Sequence, residues 1–251
     1  MPLQFVAVIF DLDLVRRLPL FYHRRVARLL GFDVVTTGMP VAARPVLFVG
    51  NHVSYLDICV LGSVIEGCFV AKSEIAGWPL FGWLAKLQRT VFVERRRSRA
   101  RSQRDDISRR LAKGDNLILF PEGTSDDGIH VLPFRSALFA VAEREVAGRP
   151  LLIQPFSIAY TRLGDLPMVR DWRPLCAWYG DMDLGGHLWR VLGLGRIEAR
   201  VVFHQPVTLA GFADRKALAD HCHSVVRDGV IAANSGLLPA PAADAQPAPA
   251  A

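Results

Sequence analysis

Short apolar runs rich in β-branched residues recur along the chain, and segments with helical periodicity separate them. The runs are PVLFVGN (45–51), CFVAK (68–72), TVFVE (90–94), NLILFPEG (116–123), LLIQPFSIAY (151–160) and IEARVVFHQPV (197–207). Runs of this length and composition are typical of buried strands. Because strands that alternate with helices are joined by crossover connections, they form a parallel or mixed sheet. We therefore predict an α/β fold, in which a single domain has a largely parallel or mixed sheet flanked by helices.

Helices are predicted between and around these runs. The first lies in LDLVRRLPLFYHRRVARLL (12–30), with a break or kink at Pro19, and the others in 95–113, 134–145 and 215–234. Residues 1–35 are therefore predicted to form N-terminal amphipathic helices. Their arginines either lie in a membrane interface or form the solvated face of helices packed on the domain. Residues 237–251, LLPAPAADAQPAPAA, are predicted to be a disordered tail.

Charge and hydropathy narrow the class of partner. The net charge of +6 favours an anionic partner, while a hydrophobic fraction of 51% and a mean hydropathy of +0.23 favour lipid over nucleic acid. No apolar run is long enough to span a bilayer, and the N-terminus lacks the features of a secretory signal. The cysteines form no CxxC pair, and the histidines of His221-Cys222-His223 do not share a helix face, so neither a disulfide framework nor a metal site is predicted.

The stretch VGNHVSYLDI (49–58) carries the first candidate site. His52 follows a predicted strand, where the loops of open α/β sheets assemble binding sites. Asp57 falls in the first turn of the next predicted helix, and Ser54 and Asp57 also match a capping box. An imidazole held at one nitrogen by a carboxylate can act as a general base through the other. We predict this role for His52, with Asp57 as its partner.

Further motifs follow in order along the chain. They are RTVFVERR (89–96), FPEGTS (120–125) and IQPFSI (153–158). A further stretch, AKSEIAGWPLFGWLAKL (71–87), lies between VGNHVSYLDI and RTVFVERR. Together with His52 and Asp57 they resemble the blocks of the glycerolipid acyltransferase family, whose type members are the lysophosphatidic acid acyltransferases. The resemblance extends from about His23 to Val207 and implies an acyltransferase domain over 36–236.

The resemblance also implies roles for individual residues. His52 and Asp57 match the family's general base and orienting carboxylate, Arg95, Glu122 and Gly123 match acceptor-binding positions, and Pro155 matches a position near the acyl pocket. From the residues themselves, the backbone of Thr124 could hold an anion and Lys72 is a second candidate cation. A structural role remains open for Glu122, as a turn carboxylate, and for Arg95, as one solvated charge in an arginine-rich helix. The chain departs from the family at Arg89, where a small residue is usual, and at Ser125, where arginine is frequent.

The predicted function is transfer of a fatty acyl group from acyl-CoA or acyl carrier protein to the hydroxyl of a lysolipid. The first candidate acceptor is 1-acyl-glycerol-3-phosphate; the second is lyso-ornithine lipid, since HRRVARLLG (23–31), Ser125 and WYGDMDLGGHLW (178–189) resemble the bacterial members that acylate it. A thioester is already activated, so no cofactor is predicted. The expected location is the cytoplasmic face of the inner membrane, as a peripheral or monotopic protein. The alternatives are a non-catalytic basic module that binds membranes or nucleic acid, and a lipid hydrolase, which would need a nucleophile elbow that the sequence lacks.

Overall fold

The computed structural model describes residues 2–10, 14–93, 100–146 and 148–238. The helices are α1 (Pro2–Ile9), α2 (Leu14–Leu29), α3 (Leu56–Val64), α4 (Phe81–Leu87), α5 (Ala100–Ala112), α6 (Leu184–Leu192) and α7 (Arg215–Asn234). The strands are β1 (Phe32–Thr37), β2 (Val46–Gly50), β3 (Cys68–Lys72), β4 (Val91–Val93), β5 (Leu117–Leu119), β6 (Glu145–Val146), β7 (Arg149–Pro150), β8 (Leu152–Leu163), β9 (Leu166–Pro167) and β10 (Ile197–Phe203). Arg95 and the tail from residue 239 lie outside the described residues.

The main sheet has the strand order β1-β10-β8-β2-β5-β3-β4, with β9 beside β8. Strands β8, β2, β5, β3 and β4 run parallel to one another, whereas β10 and β1 run the opposite way. The predicted α/β class is confirmed, and the sheet is of the mixed type. All the predicted strands are present. Strand β1 was not predicted, and it shortens the N-terminal helical segment, which ends at Leu29 rather than near residue 35.

Strand β2 lies at the centre of the sheet and is buried along its whole length. Phe48 packs on one face with residues of α2 and α3, while Leu47 and Val49 pack on the other with residues of α5 and α7. Burial on both faces explains why the strand reads as an unbroken apolar run instead of an alternating one. The parallel strands β2, β5 and β3 end at the same edge of the sheet, so the loops that follow them meet there.

Helix α2 passes through Pro19 without ending. Proline lacks the N–H that would bond the carbonyl four residues earlier, which is that of Val15. The side chain of Gln4 in α1 takes this place, because its Nε2 donates to Val15 O at 3.3 Å and also to Leu87 O of α4 at 2.9 Å. The predicted break is therefore absent, and the freed carbonyl fixes α1 against α2 and α4. Among the described residues, none of the helices combines the length and the apolarity needed to cross a bilayer.

Asp115, just before β5, binds α2 to the domain. Its buried carboxylate accepts two hydrogen bonds from Arg89, at 2.9 and 3.3 Å. Arg16 of α2 approaches it to 3.3 Å and Arg110 of α5 to 3.5 Å. Arg89 has a φ of 61°, in the region that favours glycine. Its ion pair with Asp115 accounts for a large side chain where the family usually has a small one.

The segment 134–145 differs from the predicted helix. Ser136–Glu143 is a 3₁₀ helix that leads into the short strand β6. In a 3₁₀ helix, residues three apart lie on the same side. Phe139 and Ala142, which have this spacing, are both buried. Val141, which lies between them in sequence, is buried as well, so the segment packs on the core over more than one side.

Candidate active site

His52 and Asp57 meet at the carboxyl edge of the sheet. His52 follows β2 in a loop, and Asp57 lies in the first turn of α3. The His52 Nδ1 atom is 2.8 Å from Asp57 Oδ2. Asp57 is completely buried, whereas the His52 side chain is 22% exposed, which leaves the histidine reachable from outside while its partner is not.

The carboxylate of Asp57 is surrounded by donors. Its Oδ2 atom accepts hydrogen bonds from the backbone N–H groups of Val53 and Ser54 at 2.7 and 3.0 Å, and its Oδ1 atom accepts one from the hydroxyl of Tyr160 at 2.8 Å. Burial and the charge of Asp57 raise the pKa of Tyr160 well above its usual value, so the phenol stays a donor. An ionised carboxylate only accepts, so His52 Nδ1 carries a proton and Nε2 has the free lone pair. This tautomer is the one that a general base requires.

The predicted capping box forms only in part. Asp57 binds the backbone N–H of Ser54, as the carboxylate of such a box does, but helix α3 begins after Tyr55 and no side chain caps it. The Ser54 hydroxyl accepts from the N–H of Leu56 at a long 3.4 Å instead. The same carboxylate oxygen of Asp57 thus contacts both the Ser54 N–H and the His52 ring.

Glu122 binds the backbone of the loop that carries His52. Its Oε1 atom accepts from the N–H of His52 at 2.8 Å, and its Oε2 atom accepts from the N–H of Leu132 at 2.9 Å. The side chain is almost fully buried. Both oxygens are thus engaged by backbone, which is the structural role that the sequence left open. Burial raises the pKa of Glu122 to about 8, against the opposing effect of these two hydrogen bonds.

The raised pKa of Glu122 predicts a pH-dependent stability. An acid with a higher pKa in the folded state adds stability that is complete below its ordinary pKa of 4.5 and is lost as the pH rises through about 8. We expect this group to lower the free energy of unfolding by up to about 1.4 kcal/mol per pH unit between these values. Urea unfolding of the wild type and of Glu122→Gln across this range measures the difference. Titrating groups common to both proteins cancel, so parallel pH profiles would contradict the prediction.

The other predicted site residues occupy different positions. Gly123 follows Glu122 with a φ of 75°, and a Cβ there would lie 3.1 Å from the Arg135 guanidinium carbon, so the turn requires glycine. Thr124 is exposed beside it. Lys72 ends β3 at the same sheet edge, and Pro155 is buried in β8, paired with Val49. The structure thus brings Gly123, Thr124 and Lys72 to the edge where His52 lies, and leaves Pro155 within the sheet.

Three residues complete the site without having been assigned roles from the sequence. The ring of Phe120 stacks on that of His52, with centroids 4.1 Å apart. The Asn51 side chain exchanges two hydrogen bonds with the backbone of Ile158 and so fixes the loop to β8. Tyr160 binds Asp57 from the same strand. Asn51 and Phe120 lie within the quoted motifs, close to His52 and Glu122, and Tyr160 ends the strand-like run LLIQPFSIAY, so each had a positional signal although none had an assigned role.

The nearby serine and cysteine are poorly suited to nucleophilic catalysis. Ser54 is fully buried. Burial raises the pKa of the Cys59 thiol to about 12, and the charge of Asp57 adds to this shift. Burial raises the pKa of Cys176 to about 12 as well. Thiols with such pKa values hold almost no thiolate near neutral pH. The arrangement therefore favours direct attack by a substrate hydroxyl.

The segment 178–190 forms a wall beside the catalytic loop. The N–H of Trp178 donates to Val53 O at 3.0 Å, and the Ser125 hydroxyl donates to Trp178 O. Tyr55 packs its ring against the edge of Trp178, and its hydroxyl is 2.9 Å from His187 Nδ1. Ser125, where the family often has arginine, is therefore a neutral residue that anchors this wall.

The fold and the sequence have counterparts among known proteins. The chain resembles the crystal structure of the 1-acyl-sn-glycerophosphate (LPA) acyltransferase PlsC from Thermotoga maritima, with a TM-score of 0.64 and 23% identity over 86% of this chain and 78% of that one. That likeness is one of fold. In sequence, residues 33–159 match the family model described as Acyltransferase.

Two relatives cover most of the chain. The lyso-ornithine lipid O-acyltransferase of Brucella abortus is 46% identical over 90% of this chain and 86% of its own length. The 1-acyl-sn-glycerol-3-phosphate acyltransferase of Neisseria meningitidis is 34% identical over 79% of this chain and 74% of its own length. The chain belongs to the acyltransferase family, which confirms the predicted family and the predicted class of enzyme.

Proposed function

We propose that the protein transfers an acyl group from a thioester, carried on coenzyme A or acyl carrier protein, to the hydroxyl of lyso-ornithine lipid. The observation that carries the chemistry is the contact between His52 Nδ1 and Asp57 Oδ2, because it leaves one imidazole nitrogen free at a partly exposed position. Lipid is also the substrate named for both relatives described above.

In the proposed reaction, His52 Nε2 removes the hydroxyl proton as the oxygen attacks the thioester carbonyl. Asp57 stabilises the imidazolium that results and keeps the ring in place. When the tetrahedral intermediate collapses, the thiolate leaves and takes the proton from the imidazolium. An ester and a free thiol are the products. Glu122 acts as a positioning residue in this scheme, since it fixes the backbone of His52.

The acceptor is proposed from two observations that agree. The relatives with the higher identities, from Brucella abortus at 46% and Rhizobium meliloti at 43%, are named for lyso-ornithine lipid, which favours the second of the two predicted acceptors. Next to the site, Ser125 is neutral and is followed by Asp126, whose N–H donates to His52 O at 3.0 Å. At position 125 itself, a phosphate monoester would gain less from a serine than from an arginine, because charge-assisted hydrogen bonds are the stronger ones.

The acceptor is tested by supplying lyso-ornithine lipid or lysophosphatidate with one common donor. We expect kcat/KM to be at least about tenfold higher with lyso-ornithine lipid, the scale of one charge-assisted contact. The matched variant Ser125→Arg should shift this ratio toward lysophosphatidate, because it restores a cation. If the wild-type protein acylates the two lysolipids at equal rates, or prefers lysophosphatidate, the proposed acceptor is wrong.

We also propose that the protein works at a membrane surface, with α2 in the interface. The exposed residues of α2 recur at helical spacing and combine apolar with basic side chains: Leu14, Arg17, Phe21, Arg24, Arg25, Arg28 and Leu29. The Arg25 guanidinium lies 4.8 Å from the centre of the Phe21 ring. Such a face binds anionic lipid through both charge and apolar area. The opposite face, with Val15, His23 and Ala27, is packed on the domain, so the proposal concerns the exposed face alone.

A further inference from the structure

The connection between β3 and β4 exposes a group of large apolar side chains. They are Trp78, Leu80, Phe81 and Trp83, which we call the aromatic segment. Leu80 is 64% exposed and Trp83 is 48% exposed. Single exposed apolar residues are ordinary, but a cluster within six positions of the chain marks an interaction surface.

The backbone of the aromatic segment is strained and closely packed. Leu80 has φ 60° and ψ −57°, and the N–H of Phe81 donates to Pro79 O at 2.6 Å. These values define a classic γ-turn, which is rare and strained for a residue other than glycine. Helix α4 also lies close against the 3₁₀ helix Ser73–Gly77 that precedes it, where a Cβ on Gly82 would be 2.5 Å from Ala76 O. Leu80 therefore has a strained backbone conformation beside a closely packed helix, while its side chain is exposed.

Helix α1 extends the aromatic segment on one side. It packs beside α4, and Gln4 donates to Leu87 O at 2.9 Å. Phe5 and Val8 of this helix, and Phe10 just after it, are exposed. Lys86, an exposed cation, lies on α4 itself. The combined surface is apolar and aromatic, with an exposed cation, Lys86, and an exposed acid, Glu74, beside it.

On its other side the aromatic segment reaches the active-site wall. The rings of Trp78 and Trp178 meet edge to face, with centroids 6.4 Å apart. Trp178 in turn contacts Tyr55 at 5.9 Å and bonds the backbone of Val53, the residue after His52. A continuous series of ring contacts therefore joins the exposed surface to the catalytic loop.

We propose that the aromatic segment inserts into the lipid bilayer beside α1 and admits the lysolipid from the bilayer to His52. This inference rests on the proposed function. Tryptophan is favoured at the membrane interface, where its ring is buried and its N–H stays near water. The net charge of +6 and the basic face of α2 favour an anionic lipid surface over an apolar protein partner. Insertion at this point would place the bilayer beside Trp178, whose N–H bonds the residue after His52.

The test uses the full chain with Leu80→Ser and Trp83→Ser combined. The matched control combines Leu166→Ser and Ile231→Ser, which are 58% and 51% exposed and lie outside the aromatic segment. Binding to vesicles of phosphatidylcholine and phosphatidylglycerol is measured by flotation. Turnover is measured with a lysolipid in vesicles and with a short-chain, water-soluble lysolipid.

We expect the Leu80/Trp83 variant to bind vesicles about ten- to a hundredfold more weakly, as the loss of two inserted side chains implies. Turnover of the vesicle substrate should fall in parallel, and turnover of the soluble substrate should stay at the wild-type rate. Wild-type vesicle binding by this variant, an equal loss by the control, or loss of soluble turnover would each overturn the proposal. If the wild type acylates no lysolipid, the proposed function fails, and flotation still decides whether the segment inserts.

Discussion

Replacing His52 by alanine is expected to lower kcat by about 10²- to 10⁴-fold, the usual contribution of a positioned general base. The reason is that Nε2 of this ring is the group proposed to accept the proton of the acceptor hydroxyl. Acyl transfer is measured under saturating donor and acceptor. Circular dichroism and thermal unfolding check the fold, because the substitution also removes a ring stacked on Phe120.

His130 offers a matched control for this substitution. It forms a second histidine–aspartate pair, with Nδ1 3.1 Å from Asp127 Oδ2, but its side chain is 66% exposed. His130→Ala should retain wild-type turnover. If folded His52→Ala protein transfers acyl groups nearly as fast as the wild type, the general-base mechanism is wrong.

Replacing Asp57 by asparagine is expected to reduce kcat by about 10²-fold or more while the chain still folds. The asparagine oxygen can face His52 and the N–H groups of Val53 and Ser54, and its NH₂ can face the Tyr160 hydroxyl, which rotates to accept. The geometry is then preserved, but the negative charge that stabilises the imidazolium is lost. We expect the free energy of unfolding to fall by only about 1–3 kcal/mol.

Tyr160→Phe separates the structural from the catalytic role of this carboxylate. It removes one donor to Asp57 and leaves a buried oxygen less satisfied, which should cost a similar 1–3 kcal/mol of stability, roughly the penalty for an unmet buried acceptor. Because the charge remains, kcat should fall by much less than in Asp57→Asn. Turnover and urea unfolding are measured for both variants. If Asp57→Asn lowers kcat no more than Tyr160→Phe does, the charge of Asp57 has no catalytic role and its carboxylate only holds the backbone of the loop.

Sequence patterns predicted most of the sheet for a physical reason. Strands such as β2 are buried on both faces, so their composition is decided by the core alone and stands out in the sequence. Strand β1 lies at the edge and carries Asp33 and threonines, and its short pattern is less distinct. The 3₁₀ helix at Ser136–Glu143 was predicted as an α-helix because its tighter spacing is set by contacts, not by propensity.

The site was predictable where its residues are close in sequence. His52 and Asp57 are five apart, and the motifs placed them together. The contact between Asp57 and Tyr160 joins residues 103 apart, so it depends on the register of β8 beside β2, which no local pattern reveals. The same limit applies to Arg89, whose ion pair with Asp115 is a tertiary contact that offsets an unfavourable backbone angle.

The cluster at Asp115 has a mechanical consequence. Arg16 belongs to the helix proposed to touch lipid, while Arg89 and Arg110 belong to the catalytic domain, and all three share one carboxylate. The carboxylate of Asp115 is buried, and Arg16 is one of the three cations that bind it, so this contact ties α2 to the base of β5. The helix proposed to touch lipid and the domain that carries His52 are therefore joined by a direct side-chain contact. In the proposed membrane-bound state, this link would set how deep the imidazole of His52 lies relative to the lipid surface.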